Sequence, residues 1–402
     1  MAQPRPSRTA RAHDALRHAR DRLAGRDDEI VGAQVALTQI AAPTGQEERR
    51  AAWVAQRFTA LGLADVRTDR AGNVIGCRPG APQADAGAPV VVCAHLDTVF
   101  PADTALGVRR HGRRLVGPGI GDNGRGLAGM LALAQEIDGR RLRTLRPIEF
   151  VATTGEEGLG DLRGAKHYFA TAGAGAVAAL ALDGAGDERI VHRALGSRRY
   201  RITFRGPGGH SWAAFGMPNA VNAAAGAAAR LAALRLPAEP RTTLTVGRIG
   251  GGLSVNSIPA EAWLEVDLRS TSPAVIERYD RELRLAARAA QQEENERRAA
   301  GTPPLAHDVA TIGDRPCGEV PADDALVASA IEATRLVGRD PELSTASTDA
   351  NVPIALGIPA VAIGAGGRGG EAHTADEWFD NVDGPLGIGR ALTILVAAAG
   401  LA

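Results

Sequence analysis

Four short apolar runs punctuate the chain. They are "VVVCA" from Val90, "IEFVA" from Ile148, "AVAALAL" from Ala176 and "IPAVAIG" from Ile358. Each is bounded by glycine, proline or polar residues, and none alternates with polar positions. That pattern predicts strands buried on both faces, as in a parallel sheet covered by helices. Between them lie segments with apolar residues at helical spacing: residues 28 to 62, broken by Pro43-Thr44-Gly45, then "GLAGMLALAQEI", "GAKHYFATAG", "DALVASAIEATRLVG" and a last one from "GPLGIGRALTILVAAAG". Strands alternating with helices predict an α/β layer with a mainly parallel sheet.

The texture changes near residue 192. "SRRYRITFRG", "TTLTVGRIGGG" and "AEAWLEVDLRS" alternate polar and apolar positions, as half-exposed antiparallel strands do. With the helices "NAVNAAAGAAARLAAL" and "PAVIERYDRELRLAARAAQQEENERRAAG" and a strand in "PLAHDVATIGDRPCG", they read as a compact α+β unit. The expectation is a discontinuous α/β domain, 28–191 and 316–402, interrupted by an α+β insertion, 192–315. A polar segment, 1–27, precedes it and reads as frayed.

Composition narrows the function. The 402 residues exceed what one core usually serves. Lys+Arg and Asp+Glu number 46 each, so a net basic surface for nucleic acid is not expected. Lys166 is the only lysine; arginine carries the positive charge. Cys77, Cys93 and Cys317 are too scattered for a disulfide framework or a Cys-x-x-Cys metal site, which suits a reducing cytoplasm. The first residues lack the apolar core of a secretory signal, and no run approaches the ~20 apolar residues of a membrane span.

Ligands of open α/β sheets gather at the carboxyl ends of the strands, so the residues following each buried run are the candidates. After "VVVCA" come His95 and Asp97; a glycine loop holds Asp122; after "IEFVATT" come Glu156 and Glu157; after "LAL" comes Asp183; after "VAIGAGGRGGEA" comes His373. Two imidazoles and several carboxylates suit zinc, manganese or cobalt. His95 and Asp97, two apart in an extended segment, point the same way, so Asp97 is expected to accept a hydrogen bond from one ring nitrogen and leave the other for metal. Glu156 and Glu157 diverge, so one can ligate while the other serves as general base. An isolated Glu-Glu pair is ordinarily a solvated loop; a dication turns its repulsion into an advantage. His13, His18 and His111 read as solvated, His167 as a packing residue, and His192 and His307 carry no assigned role. "GIGDNG" matches a dinucleotide fingerprint, but Asp122 inside it would repel a pyrophosphate.

Taken in order, "VVVCAHLDTVFP", "GPGIGDNGRGLAGMLALA", "ATTGEEGLGDLRGAKHY", "ALALDG", "GPGGHSW", "NSIPAEAWLEVDLRS" and "GGEAHTADEWFD" resemble the M20 family of dinuclear metallopeptidases and deacylases over residues 30 to 400. "GHSWAAFGMPNA" and "STASTDANVPIALGIPAVAIG" are similar to its peptidase T-like and dipeptidase-like branches. The resemblance implies an α/β catalytic domain with an inserted α+β lid that also mediates dimerisation. It implies two divalent metals, usually Zn2+ with Mn2+ or Co2+ as alternatives. Asp122 would bridge them, with His95 and Asp183 completing one shell and Glu157 and His373 the other. Glu156 would be general base and then proton donor, Asp97 would orient His95, and the Asp122–Asn123 peptide would be cis. His210 would stabilise the oxyanion, while Asn256 and Arg269 would anchor substrate, the arginine through a bidentate pair with a carboxylate. The expected reaction is hydrolysis of an amide bond in small peptides by a homodimer. N-acyl amino acid deacylation is the rival within the class, and a noncatalytic binding or scaffold protein the rival outside it.

Overall fold

The computed structural model describes residues 8–82, 87–138 and 142–402. The chain divides into two compact units, Met1–Ala194 with Glu319–Ala402, and Leu195–Gly318.

The first unit is built on a large mixed sheet with a parallel centre. Val90–His95 lies between Ile148–Thr153 and Ala178–Leu182 and runs parallel to both. Ala360–Ile363 adds a fourth parallel strand beside Ala178–Leu182. Antiparallel strands flank this centre: Val74–Arg78 beside Ile148–Thr153, and Arg189–Ala194 beside Ala360–Ile363. The four central strands are the four apolar runs, and Val91, Val92, Phe150, Val151, Leu180 and Val361 are 0–1% exposed. Helices supply the covering faces. Gly124–Glu136 is buried almost all round, and its start lies so close to the sheet that a Cβ at Gly126 would meet the Leu182 carbonyl at 2.5 Å. Only glycine permits that approach, which draws the preceding loop onto the strand end.

The polar start departs from expectation. Residues 1–7 lie outside those described, but Arg8–Gly25 is a helix. Ala19 and Leu23 are fully buried and Leu16 packs against the same core. Three apolar residues at spacings of three and four make a narrow stripe among arginines. The charges around it hid that stripe from a reading by overall polarity.

The second unit is a four-stranded antiparallel sheet in the order Thr243–Gly251, Glu261–Ser270, Gly196–Arg205, Ala306–Arg315. Glu261–Ser270 buries alternate residues, Leu264, Val266 and Leu268 among them. They form one core with Tyr200, Ile202 and Phe204 and with alanines of the helix Ala220–Ala232. Thr243–Gly251 is an edge strand of mostly exposed residues.

Candidate metal centre

The strand register sets the first half of the site. His95 is the last residue of its strand and pairs with Thr153. Cys93 pairs with Ala181, so Asp183, two residues on, stands level with His95. After Thr153 the chain turns at Gly155, where φ is +62°, a conformation that favours glycine, and delivers Glu156 and Glu157. Asp122 enters from the loop before the helix Gly124–Glu136, and its peptide bond to Asn123 is cis. His373 lies between the strands Arg368–Gly370 and Trp378–Asp380.

These side chains converge. Asp122 turns its two carboxylate oxygens to different histidines: Oδ1 lies 2.9 Å from His95 Nε2 and Oδ2 lies 3.1 Å from His373 Nε2. His373 Nε2 also lies 3.0 Å from Glu157 Oε1, and His95 Nε2 lies 3.9 Å from Asp183 Oδ1. Three donor groups result, each with its atoms within 4.8 Å of one another: His95, Asp122, Asp183; Asp122, Glu157, His373; and His95, Glu156, Glu157. Tetrahedral ligands of a zinc ion stand about 3.3 Å apart, given metal–ligand bonds near 2 Å. The donor spacings bracket that value, and oxygen and imidazole nitrogen are donors such ions take, so the residues fit a divalent cation.

The electrostatics point the same way. Burial, and then the neighbouring Asp122 carboxylate, push the Asp183 carboxyl up to about 7. Burial likewise raises Glu157, with Asp122 adding to the effect against the pull of His95. The hydrogen bond to Asp122 lifts His373 to about 9, burial opposing and Glu157 assisting. Two carboxyls pushed upward by burial and by a neighbouring carboxylate, next to a histidine raised to about 9, mark a place where positive charge is stabilised.

Asp97 does not do what its spacing from His95 suggested. His95 Nδ1 lies 3.0 Å from the Asp97 backbone carbonyl oxygen, while the carboxylate Oδ1 is 3.6 Å away, too long for a hydrogen bond. The carboxylate instead accepts from the backbone amides of Glu156 and Glu157, both at 2.9 Å, and from the Thr44 hydroxyl at 2.8 Å. Burial disfavours its charge, yet His95 and those amides bring its pKa down to about 2. Asp97 therefore fixes the Glu-Glu turn, and its main chain fixes the imidazole.

Three further residues, unassigned from the sequence, brace the same loops. Glu47 accepts from the amides of Gly45 and Gly155 at 2.9 and 3.0 Å and pairs with Arg163 at 2.8 Å. Asn123 donates to the Leu182 carbonyl at 2.8 Å, and its side-chain oxygen accepts from Gly126 and Gly184 at 3.1 Å each. Glu377 accepts from the amides of Gly119, Gly121 and Asp122 at 2.9, 2.8 and 2.7 Å. Three amides of the fingerprint-like loop are thus committed to a protein carboxylate. The only sequence hint was Glu377 lying four residues after His373.

The remaining candidates belong to the second unit. His210 is exposed, and its Nδ1 accepts from the backbone amides of Trp212 and Ala213 at 3.2 and 3.4 Å. That leaves the proton of the neutral ring on Nε2. The Asn256 carbonyl accepts from Ser211 N at 2.9 Å, so these two lie together on the small ladder of Gly209–His210 with Ser257–Ile258. Arg269 is half-buried, donates to Asp267 Oδ2 at 2.6 Å, and lies elsewhere: it pairs with Ser197 at the opposite end of the strand from Glu261. Eight residues at about 3.3 Å each separate Glu261 from Arg269 by about 26 Å. His18 and His111 are exposed, whereas His192 is buried with Nδ1 2.7 Å from the Val320 carbonyl.

Solved structures share the architecture. An aminopeptidase PepT from Bacillus cereus superposes with a TM-score of 0.73 at 24% identity, covering 92% of this chain and 98% of its own. A tripeptidase from Staphylococcus aureus has the same TM-score and coverages at 25% identity. The di-peptidase Dug1p from Saccharomyces cerevisiae gives 0.73 at 14% identity, covering 96% of this chain and 98% of its own. No curated protein sequence matches the chain significantly. Residues 91–397 match the family described as Peptidase family M20/M25/M40, a span that takes in every donor of the cluster. The chain therefore belongs to that family, and it is a metal-dependent hydrolase of the peptidase and amidohydrolase kind.

Proposed function

We propose that the protein hydrolyses an amide bond in small peptides with two divalent cations, Zn2+ or, from the same donors, Mn2+ or Co2+. His95, Asp122 and Asp183 would hold one and Asp122, Glu157 and His373 the other. The observation that carries this reading is the split presentation of Asp122, one oxygen toward each histidine. When bound, the cations supply Lewis acidity, polarising a carbonyl and acidifying water. Glu156, buried and within reach of His95 and Glu157, takes the proton from the attacking water and returns it to the leaving amine. His210, with its proton on Nε2, donates to the carbonyl oxygen as negative charge builds there. Asn256 and Arg269 anchor the substrate, the guanidinium pairing with a carboxylate.

Aminopeptidase, tripeptidase and di-peptidase neighbours support a peptide substrate. N-acyl amino acids need the same cation chemistry, so the substrate is decided by assay. Zinc-loaded protein is expected to cleave di- or tripeptides with a kcat/KM at least tenfold above that for N-acetyl or N-succinyl amino acids, as measured by ninhydrin or mass spectrometry. The reverse ranking assigns deacylation, and no hydrolysis of either set overturns both substrate readings. The buried thiols Cys93 and Cys317 are free and support the cytoplasm as location. Among the described residues no helix is long and apolar enough to cross a membrane.

The acting form is a homodimer. A tripeptide spans roughly 10 Å, so it cannot reach both the His210–Asn256 ladder and the Arg269 end of one lid. The two ends would then come from different copies of the chain, with His210 and Asn256 supplied across the dimer. The apolar tip supports this, with Trp212 and Phe215 88% exposed and Leu253 and Val255 fully so. Mixing inactive Glu156→Ala and inactive His210→Ala proteins, with subunit exchange, should restore about a quarter of wild-type activity, because half the dimers are hybrid and each has one intact site. A mixture as inactive as its parents would show that each chain uses its own His210.

A further inference from the structure

We infer that Glu377 is a positioning residue that sets cation affinity, by stapling the loop that carries Asp122 to the segment that carries His373. The inference rests on the cation reading above. Glu377 is 2% exposed, and both its oxygens are engaged: Oε2 by Gly119 N, Oε1 by Gly121 N and Asp122 N. Its own backbone carbonyl accepts from Gly117 N at 2.8 Å. One residue therefore grips the glycine loop from Gly117 to Asp122.

Its other end is the His373 segment. Thr374 N donates to the Glu371 carbonyl at 3.1 Å and Glu377 N to the Thr374 carbonyl at 3.2 Å, so two consecutive turns carry His373 to Glu377. Trp378–Asp380 then pairs with Arg114–Val116, just before the loop. Asp122 and His373 are 251 residues apart in sequence, yet they must present Oδ2 and Nε2 to one point.

A buried carboxylate is costly unless hydrogen bonds compensate it. Glu377 is compensated by amides of the loop that presents a cation donor, one of them the amide of Asp122 itself. The direction of that peptide decides where Oδ1 and Oδ2 aim. Groups that orient a metal ligand from behind typically govern affinity by 10–100-fold.

The test is Glu377→Gln in the full-length protein. Glutamine keeps the volume but replaces one acceptor oxygen with an NH2 donor, which must face a backbone donor. Zn2+ affinity is measured by competition with a chromophoric chelator, and the metal-free proteins are compared by circular dichroism and thermal melting. The variant is expected to bind Zn2+ about 10–100-fold more weakly, beyond any fall in the metal-free melting temperature. A merely structural role would lower that melting temperature and leave the affinity of folded molecules unchanged, and either that pattern or affinity within twofold of wild type overturns the inference. If the variant does not fold, hydrogen exchange in metal-free wild type decides. The amides of Gly119, Gly121 and Asp122 are expected to be protected, and exchange at unstructured rates would overturn the staple. Wild-type protein that binds no Zn2+ would instead refute the cation reading.

Discussion

Glu156→Ala is expected to lower kcat by about 10^2–10^4-fold, or ~3–5 kcal/mol of barrier, while the cations stay bound. The size follows from two duties: the carboxylate accepts a proton in the first step and returns it in the second, so both steps lose their catalyst. Retention of metal follows from the donor sets, because the groups containing Asp183 and His373 are complete without Glu156. KM should change little, since no anchoring contact is removed. Metal content by atomic emission and kcat by a continuous peptide assay are the two measurements. The third donor group joins Glu156 to His95 and Glu157, which makes the control meaningful. Loss of a cation would make Glu156 a ligand, and undiminished turnover would remove it from the chemistry.

Asp122→Ala is expected to have the larger effect: loss of both cations at micromolar concentration and activity below detection. Of the two groups proposed to hold the cations, His95, Asp183, Glu157 and His373 each serve one, whereas Asp122 serves both through separate oxygens. Asp122→Asn sharpens the test. Asparagine retains one carbonyl oxygen and turns an NH2 group toward the other histidine, so one cation at most should persist. By contrast, Asp183→Ala should release one cation and spare the other. Stoichiometry by isothermal titration separates the three variants. An Asp122→Ala protein that still binds two equivalents tightly would eliminate the bridging role and the two-cation mechanism with it.

Much of the centre was legible because its donors are tied to local features. A buried parallel strand announces itself as an apolar run, and its carboxyl end is the next residue or two, so His95, Glu156, Glu157 and Asp183 could be found without knowing how the strands pair. Asp122 and His373 lie in loops farther from the strand ends; they were candidates by the same search, and the ordered resemblance supplied their expected roles. What holds these residues was not legible. Asp97 looked like the partner of the His95 ring because the two are close in sequence, yet its carboxylate serves amides 59 and 60 residues away. Glu47 and Glu377 looked like any other acidic residues of their segments.

Residue type and periodicity alone therefore determined the α/β texture and offered the candidate donors, since burial on a sheet and the capacity to bind a dication are written in the side chains themselves. The tertiary structure alone decided which carboxylates meet in the donor cluster and which brace backbone amides, that the first helix joins the core, and that Arg269 stands far from His210 and Asn256. The reason is that a carboxylate accepts equally well from any amide or cation brought to it. Its partner is chosen by where the folded chain places its neighbours.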